Sequence, residues 1–429
     1  MPAETNARRS ADAPQPRWAR LLASQPWVAP MVLLSAVAAL YLNSLDAPFI
    51  FDDFPAIVRN ATLREGWPSW AMLRPPAEAA GATGRPVVNA TLALDYTLGG
   101  LNVRGYHLTN LILHALVTLA LWGVVRRTLR GRTGHQPVHA EALAFTLAAL
   151  WAVHPLLTET VVCVVQRNEE LVAWFYLLTL YGFIRSAATT AAWPRRLWAA
   201  AAVAACALGM ASKEVMVSAP LVVWLYDRTF LAGSFRGALR ARGGWYAGLA
   251  ATWGLLAVLM LTNDQRAGTV GFGLGVSSWD YLLTQCRALV LYLKLAFWPH
   301  PLVVDYGTAV VHHWQQVWAH GLFVLLLLAA TVWALFRRPV PGFLAACFFL
   351  LLAPSSSFVP LTTQTIAEHR MYLPLAPLLL LALLAAHALR PRPFLLFALP
   401  LLLPLAFLSS RRIAVFRDEE RLWSATVAA

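Results

Sequence analysis

The run WQQVWAHGLFVLLLLAATVWALF, residues 314–336, carries no charged side chain and is closed by Arg337 and Arg338. A bilayer core of roughly 30 Å takes about 20 apolar residues in a helix, so this run has the length and character of a membrane span. Comparable runs recur from Trp27 to Ser409. Of the 429 residues, 59% are hydrophobic and only 13% charged, with a mean hydropathy of +0.58, whereas soluble domains are about half apolar and about a quarter charged. The chain is expected to be an all-α, polytopic membrane protein, and a water-soluble fold is excluded.

The net charge of +13 does not point to nucleic acid, because the arginines stand in short clusters between apolar runs, where they act as topology signals. Clusters at Arg126 to Arg132, Arg185 to Arg196, Arg228 to Arg242, Arg337 to Arg338 and Arg390 to Arg392 are the candidate inner loops. Placing each of them inside requires spans near 27–44, 106–125, 141–158, 168–186, 197–212, 215–232, 245–262, 314–336, 341–360, 371–389 and 393–409. That makes eleven crossings among membrane lipids, with the N-terminus inside and the C-terminus outside. Residues 281–298 include Arg287 and Lys294, and a crossing there would invert every later basic loop, so a buried or interfacial helix is expected. The same reading makes residues 1–26 a disordered cytoplasmic tail and 27–409 the transmembrane domain. It gives long outer loops at 45–105 and 263–313 and a short outer segment, 410–429, without repeats. The Ala-, Arg- and Leu-rich usage suggests a high-GC bacterial source, and so a bacterial inner membrane with outer loops in the periplasm. Cys163, Cys206, Cys286 and Cys347 lack the spacing of a metal site or disulfide framework and read as packing residues.

Polar residues that basic-loop counting leaves unexplained gather on the outer side. Ile50-Phe51-Asp52-Asp53-Phe54-Pro55 sets two adjacent carboxylates in apolar surroundings soon after the first span. Such neighbours repel each other and raise a pKa, so one can act as a base or both can hold a cation; the competing reading is a loop turn ahead of Pro55. Further ionisable groups stand at the outer ends of spans: His154 with Glu159, Gln166 to Glu170 including Arg167, Ser212-Lys213-Glu214, and Glu368-His369-Arg370-Met371-Tyr372. Each alone reads as an interfacial charge; together with the acid pair they are better explained by a polar cavity. His107, Asn110 and His114 follow at helical spacing on one face of the second span, and they either line that cavity or serve as contacts between packed helices. Arg85, His107, Asn110, His154, Glu159, Glu214, His369 and Tyr372 are the candidate lining residues.

Five strings carry a resemblance: FDDFPAIVRNATL, GRPVVNATLALDYTLGGLNVRGYHLTNLILHAL, WAVHPLLTETVVCVVQRNEELVA, ASKEVMVSAPLVVWLYD and EHRMYLPLAP. In this order the chain resembles the transmembrane portion of the protein O-mannosyltransferase family that carries tetratricopeptide repeats. The resemblance implies a GT-C fold and transfer of a sugar from a polyprenyl-phosphate donor to a hydroxyl acceptor on the outer face. It implies that Asp52 and Asp53 are the catalytic signature. The sequence ends at Ala429 where relatives continue into repeats, so a protein acceptor is not fixed by the resemblance, and a glycan or lipid hydroxyl stays open.

A lipid phosphate leaves without needing a proton, so such a site calls for cations instead of a general acid. Arg370, Lys213 and Arg167 are the candidates for the phosphate. The residues fix no cofactor, and a divalent metal, Mg or Mn, bridging Asp52, Asp53 and the phosphate is compatible with the pair. Two other classes stand beside the enzyme: a lipid or solute transporter or flippase using the acids as a relay, and a non-enzymatic assembly subunit. The chain has no internal repeat of the kind many transporters show.

Overall fold

From Ala140 to Ala173 every residue is buried in the computed structural model, which describes residues 17–131, 137–262, 275–307, 309–361, 364–389 and 398–428. A helix apolar on all sides is expected to be surrounded by protein or lipid, and here the surroundings are protein. The chain around this centre is helical: α1 (Arg17–Ser24), α2 (Val28–Tyr41), α3 (Pro86–Gly99), α4 (Val103–Arg130), α5 (Pro137–Ala152), α6 (Thr158–Val162), α7 (Arg167–Ala188) and α8 (Ala192–Met210). These are followed by α9 (Ala219–Phe230), α10 (Phe235–Leu261), α11 (Ser278–Phe297), α12 (Trp318–Arg337), α13 (Pro339–Leu352), α14 (Leu375–Leu389), α15 (Leu402–Val415) and α16 (Glu419–Val427).

The chain is a multi-pass membrane protein by its spans. Among the described residues four helical stretches are long and apolar enough to cross a bilayer, Val103–Arg130, Val164–Ala188, Phe235–Leu261 and Trp318–Arg337, or six if each of two bent pairs is one span. The arginine pattern called for eleven. The difference arises where helices are short or broken. Pro339–Leu352 and Leu375–Leu389 are apolar but shorter. The pair Pro137–Ala152 and Pro155–Val162 bends by 56° at His154-Pro155, where proline has no N–H to continue the helix and the His154 ring accepts from Leu156 N at 3.2 Å.

The expected disordered tail is corrected in part. Its first 16 residues lie outside the described ones, while Arg17–Ser24 form a helix that buries Ala19 and Leu22 and packs on α5. The helix expected at 281–298 is α11; it buries the stripe Tyr281, Gln285, Ala288, Tyr292 and Leu295 and exposes Trp279, Phe297 and Trp298, packing on α12 and α14. α12 buries only Val324 and Thr331, which fits a helix whose other sides meet lipid.

Buried charges tie the ends of neighbouring helices. Glu141, with no exposed surface, takes Arg126 at 2.6 Å and Arg130 at 2.7 Å and also accepts from Trp122 Nε1 at 3.0 Å. Two arginines that read as loop markers thus pin α4 to α5.

The α12–α13 hairpin turns within one residue, Arg338, and depends on a close backbone approach: a Cβ at Gly342 would lie 2.3 Å from Leu335 N. Gly342→Ala should therefore destabilise by about 1–3 kcal/mol, the usual range for overpacking, and lower the Tm of the detergent-solubilised protein. Gly254→Ala, in the middle of α10 with nothing within 4 Å of the added carbon, should leave Tm unchanged or raise it slightly.

Candidate active site

Phe51 has a φ of 47°, a left-handed conformation that a bulky residue adopts only when its surroundings enforce it. Its ring meets Trp423 of α16 edge-on, with centroids 5.8 Å apart. The tight turn that follows gives the two acids different environments. Asp53 is fully buried and accepts three backbone N–H groups: Val165 at 2.7 Å, Ile50 at 3.2 Å and Val164 at 3.3 Å. Two of these open the one-turn helix Val164–Gln166 that leads into α7, so Asp53 fastens the loop between α2 and α3 to the α6–α7 junction. Burial pushes its carboxyl up to about 7, with the three N–H groups pulling the other way.

Asp52 is half-buried, and among the described residues none donates a hydrogen bond to its carboxylate. Burial raises it to about 6; the negative charges of Glu159 and Asp305 add to the rise and the Arg85 guanidinium opposes it. A carboxylate with free lone pairs and a pKa near neutrality can take up a proton. Asp53, with both oxygens engaged, holds the turn in place.

Around Asp52 the structure gathers residues from distant parts of the chain. Glu159 Oε1 lies 2.8 Å from His369 Nδ1, both nearly buried. Arg85 pairs with Glu214 at 3.2 Å and donates to Gly81 O at 2.7 Å. Lys213 donates to Glu169 Oε1 and Asn168 Oδ1, each at 2.7 Å; burial depresses Lys213, with Glu169 opposing. Desolvation likewise holds His369 well below its ordinary value, which favours the neutral ring.

The other expected site residues are committed to the frame. Arg167 has no exposed surface and bonds Asp95 at 2.6 Å, Asn110 Oδ1 at 2.7 Å and Tyr106 O at 2.9 Å, joining α3, α4 and α7. Asn110 in turn donates to Val161 O and Val164 O at 3.4 and 3.3 Å. His107 holds Ala47 O at 2.9 Å, and His154 holds Ala296 O at 3.2 Å. His114 lies between Tyr372 OH at 2.8 Å and Ala152 O at 3.0 Å. Arg370 donates to Ser355 O and Thr365 O, both at 3.1 Å, and also to Gln364 O, closing the loop ahead of α14. Of the three cations expected at a phosphate, Arg167 and Arg370 thus have guanidinium groups engaged with protein oxygens, and Lys213 sits in an ion pair.

Four residues near the acids did not stand out individually in the sequence. Glu368 accepts from Val303 N at 2.6 Å and Tyr306 OH at 2.8 Å, and burial raises it above the usual carboxylate range. Asp305 and Tyr306 belong to the same 298–313 segment. Arg412, near the end of α15, is 8% exposed, and its charge acts on both Glu159 and Glu368. A signal for it existed: the expected topology puts Arg411 and Arg412 after the last span on the outer side, where basic residues are disfavoured. Among the described residues no group of three or more His, Cys, Asp or Glu is arranged to hold a metal ion, and both Asp53 oxygens are already taken. Away from the acids, an apolar cavity of about 300 Å³ lies among α4, α7, α9, α13 and α14. Leu177, Tyr226, Phe343, Leu373 and Leu384 are among its lining residues, and Leu373 directly follows Tyr372.

The two acids should respond differently to truncation. Asp53→Ala leaves three buried N–H groups without an acceptor, at about 1–3 kcal/mol for each that finds no substitute, so thermal unfolding in detergent should occur at clearly lower temperature. Asp52→Ala should leave the unfolding temperature near that of the parent.

No family model matches the chain, and no solved structure matches it. Curated relatives do. The chain is 29% identical over 335 residues to the protein O-mannosyl-transferase Tmtc2 of Drosophila melanogaster, covering 72% of this chain and 34% of that protein. It is 32% identical over 177 residues to the human protein O-mannosyl-transferase TMTC4, covering 38% of this chain and 23% of the relative. Against Drosophila Tmtc1 the identity is 35% over 159 residues, covering 35% and 18%. The chain thus spans about a third or less of the length of these relatives. It is a distant homologue, at about 30% identity and with partial coverage, of the TMTC protein O-mannosyltransferases.

Proposed function

We propose that the chain is an integral-membrane glycosyltransferase of GT-C type. It moves a sugar, mannose by analogy with the named relatives, from a polyprenyl-phosphate donor to a hydroxyl of a protein, glycan or lipid. The observation that carries this reading is Asp52: a half-buried carboxylate with free lone pairs, raised to about 6 and set among Arg85, Glu159 and Asp305 from three distant segments. In the proposed step Asp52 takes the acceptor's hydroxyl proton as that oxygen attacks the anomeric carbon. The bond from that carbon to the phosphate oxygen breaks, the polyprenyl phosphate leaves with the electron pair, and the anomeric centre inverts. Asp53 holds the turn that aims Asp52. Lys213 is the cation proposed to neutralise the phosphate, with Arg370 and Arg167 fixing the loops around it. The apolar cavity beneath Tyr372 supports a lipid-linked donor, since its lining suits hydrocarbon.

The proposal includes eleven crossings of a bacterial inner membrane, with Asp52 on the periplasmic side and α16 outside. The transporter reading is weaker, because the free carboxylate of Asp52 stands in a loop and not within a span.

Three outcomes follow. Asp52→Asn should express and fold as the parent does but transfer sugar roughly 10²- to 10⁴-fold more slowly, the usual loss on removing a general base; turnover above about a tenth of the parent would remove Asp52 from that role. The base works only when ionised, so kcat/KM should rise with pH through about 6 and level off above it. Arg85→Gln removes the charge that opposes the rise, and should displace that limb to higher pH. For topology, a reporter fused after Trp423 should be active only when exported, and cytoplasmic activity would overturn the arrangement.

A further inference from the structure

Glu159, whose charge acts on Asp52, and Arg412, whose charge acts on Glu159, are unsatisfied in complementary ways. Glu159 Oε1 is fixed by His369 at 2.8 Å, while Oε2 is buried and has no partner. Arg412 has buried Nε and Nη2 atoms, also without a partner, and its guanidinium lies 5.1 Å from the centroid of Phe416. Both side chains are more than nine-tenths buried. They are neighbours through the packing of α15 on α6 and on the turn at Pro155–Leu157. Ser409 Oγ, one turn before Arg412, donates to Val153 O at 2.7 Å and fixes that approach. Yet the two form no ion pair.

Buried donors and acceptors are nearly always paired, and one left unmade costs about 1–3 kcal/mol. Two donors and one acceptor left open at Arg412 and Glu159 therefore call for an occupant. A phosphate would satisfy Arg412, but it would face the charge of Glu159 and lie close to Asp52, Asp305 and Glu368. A metal cation would suit the acids but meet the guanidinium. A neutral ring bearing adjacent hydroxyls suits both, because each hydroxyl donates and accepts and the guanidinium fork matches two neighbouring oxygens.

We infer that Arg412 and Glu159 form the subsite for the sugar of the donor, Arg412 donating to ring hydroxyls and Glu159 Oε2 accepting from one of them. This rests on the glycosyltransferase reading and adds a determinant of sugar selectivity to it. A site built to bond hydroxyls discriminates strongly against a sugar lacking them, because its own buried groups are then left unpaired.

The test compares binding of polyprenyl-phosphate mannose with that of sugar-free polyprenyl phosphate, using the full chain in detergent. Arg412→Gln and Glu159→Gln should each weaken the mannosyl lipid about tenfold or more and leave the sugar-free lipid unchanged. Arg412→Lys keeps the charge but loses the fork; it should also weaken only the mannosyl lipid, and it serves where the glutamine variant fails to fold. Equal weakening of both lipids would make Arg412 a phosphate ligand and overturn the inference. So would unchanged binding of both, as expected for a bridging water, or a parent protein that does not distinguish the two lipids. Sugar-dependent binding through Arg412 without transfer to any acceptor would sink the glycosyltransferase reading alone. Transfer lost in Asp52→Asn, with sugar binding indifferent to position 412, would sink this subsite alone.

Discussion

The clasp between Asp53 and the N–H groups of Val164 and Val165 is the contact on which the candidate site depends. It joins a loop that follows the first apolar helix to the break between α6 and α7, in a region where every residue is buried. A carboxylate there is expensive to desolvate, and three N–H donors offset that expense. Because Asp53 is held, Asp52 beside it faces the other way from the clasp, toward Glu159, Asp305 and Arg85, with its oxygens unclaimed.

A second layer of buried polar contacts holds the helices that carry the clasp. Arg167 bridges α3, α4 and α7, Arg370 closes the loop before α14, and His107, His114 and His154 each grip a backbone carbonyl of another segment. These contacts do what oil-like packing cannot do in a lipid surrounding, where apolar side chains gain little by leaving lipid for one another. Directional bonds therefore set which helices meet and at what register.

The helical class and the gathering of acids on one side were legible, because hydropathy and clustered charge are local properties of sequence. Asp52 and Glu159 could be named for the same reason. Which of the two adjacent acids the fold holds was not, since the grip on Asp53 comes from backbone groups 111 and 112 residues away. Sequence likewise ranked Arg370 and Arg167 as free cations for a ligand, and the folded chain surrounds both with its own oxygens. Arg412 went unnoticed because the acids its charge acts on, Glu159 and Glu368, lie far from it in the sequence. The span pattern was read from arginine clusters, some of which, such as Arg126 and Arg130 on Glu141, serve in helix pairing as well.

The contact of Phe51 with Trp423, together with the place of Arg412, has a bearing on assembly. A chain made from its N-terminus forms domains in the order of synthesis. When Arg167 emerges, Asp95, Asn110 and Tyr106 are already present, so that charge never has to wait in the membrane without partners. Asp52 and Glu159 are also early. Arg412 and the aromatic cover over Phe51 arrive with the last helices, and until these dock Glu159 lacks the opposing charge and Phe51 lacks its cover. The order of synthesis thus closes the frame first, and the turn that carries Asp52 and Asp53 gains its aromatic cover only with the last of the described helices.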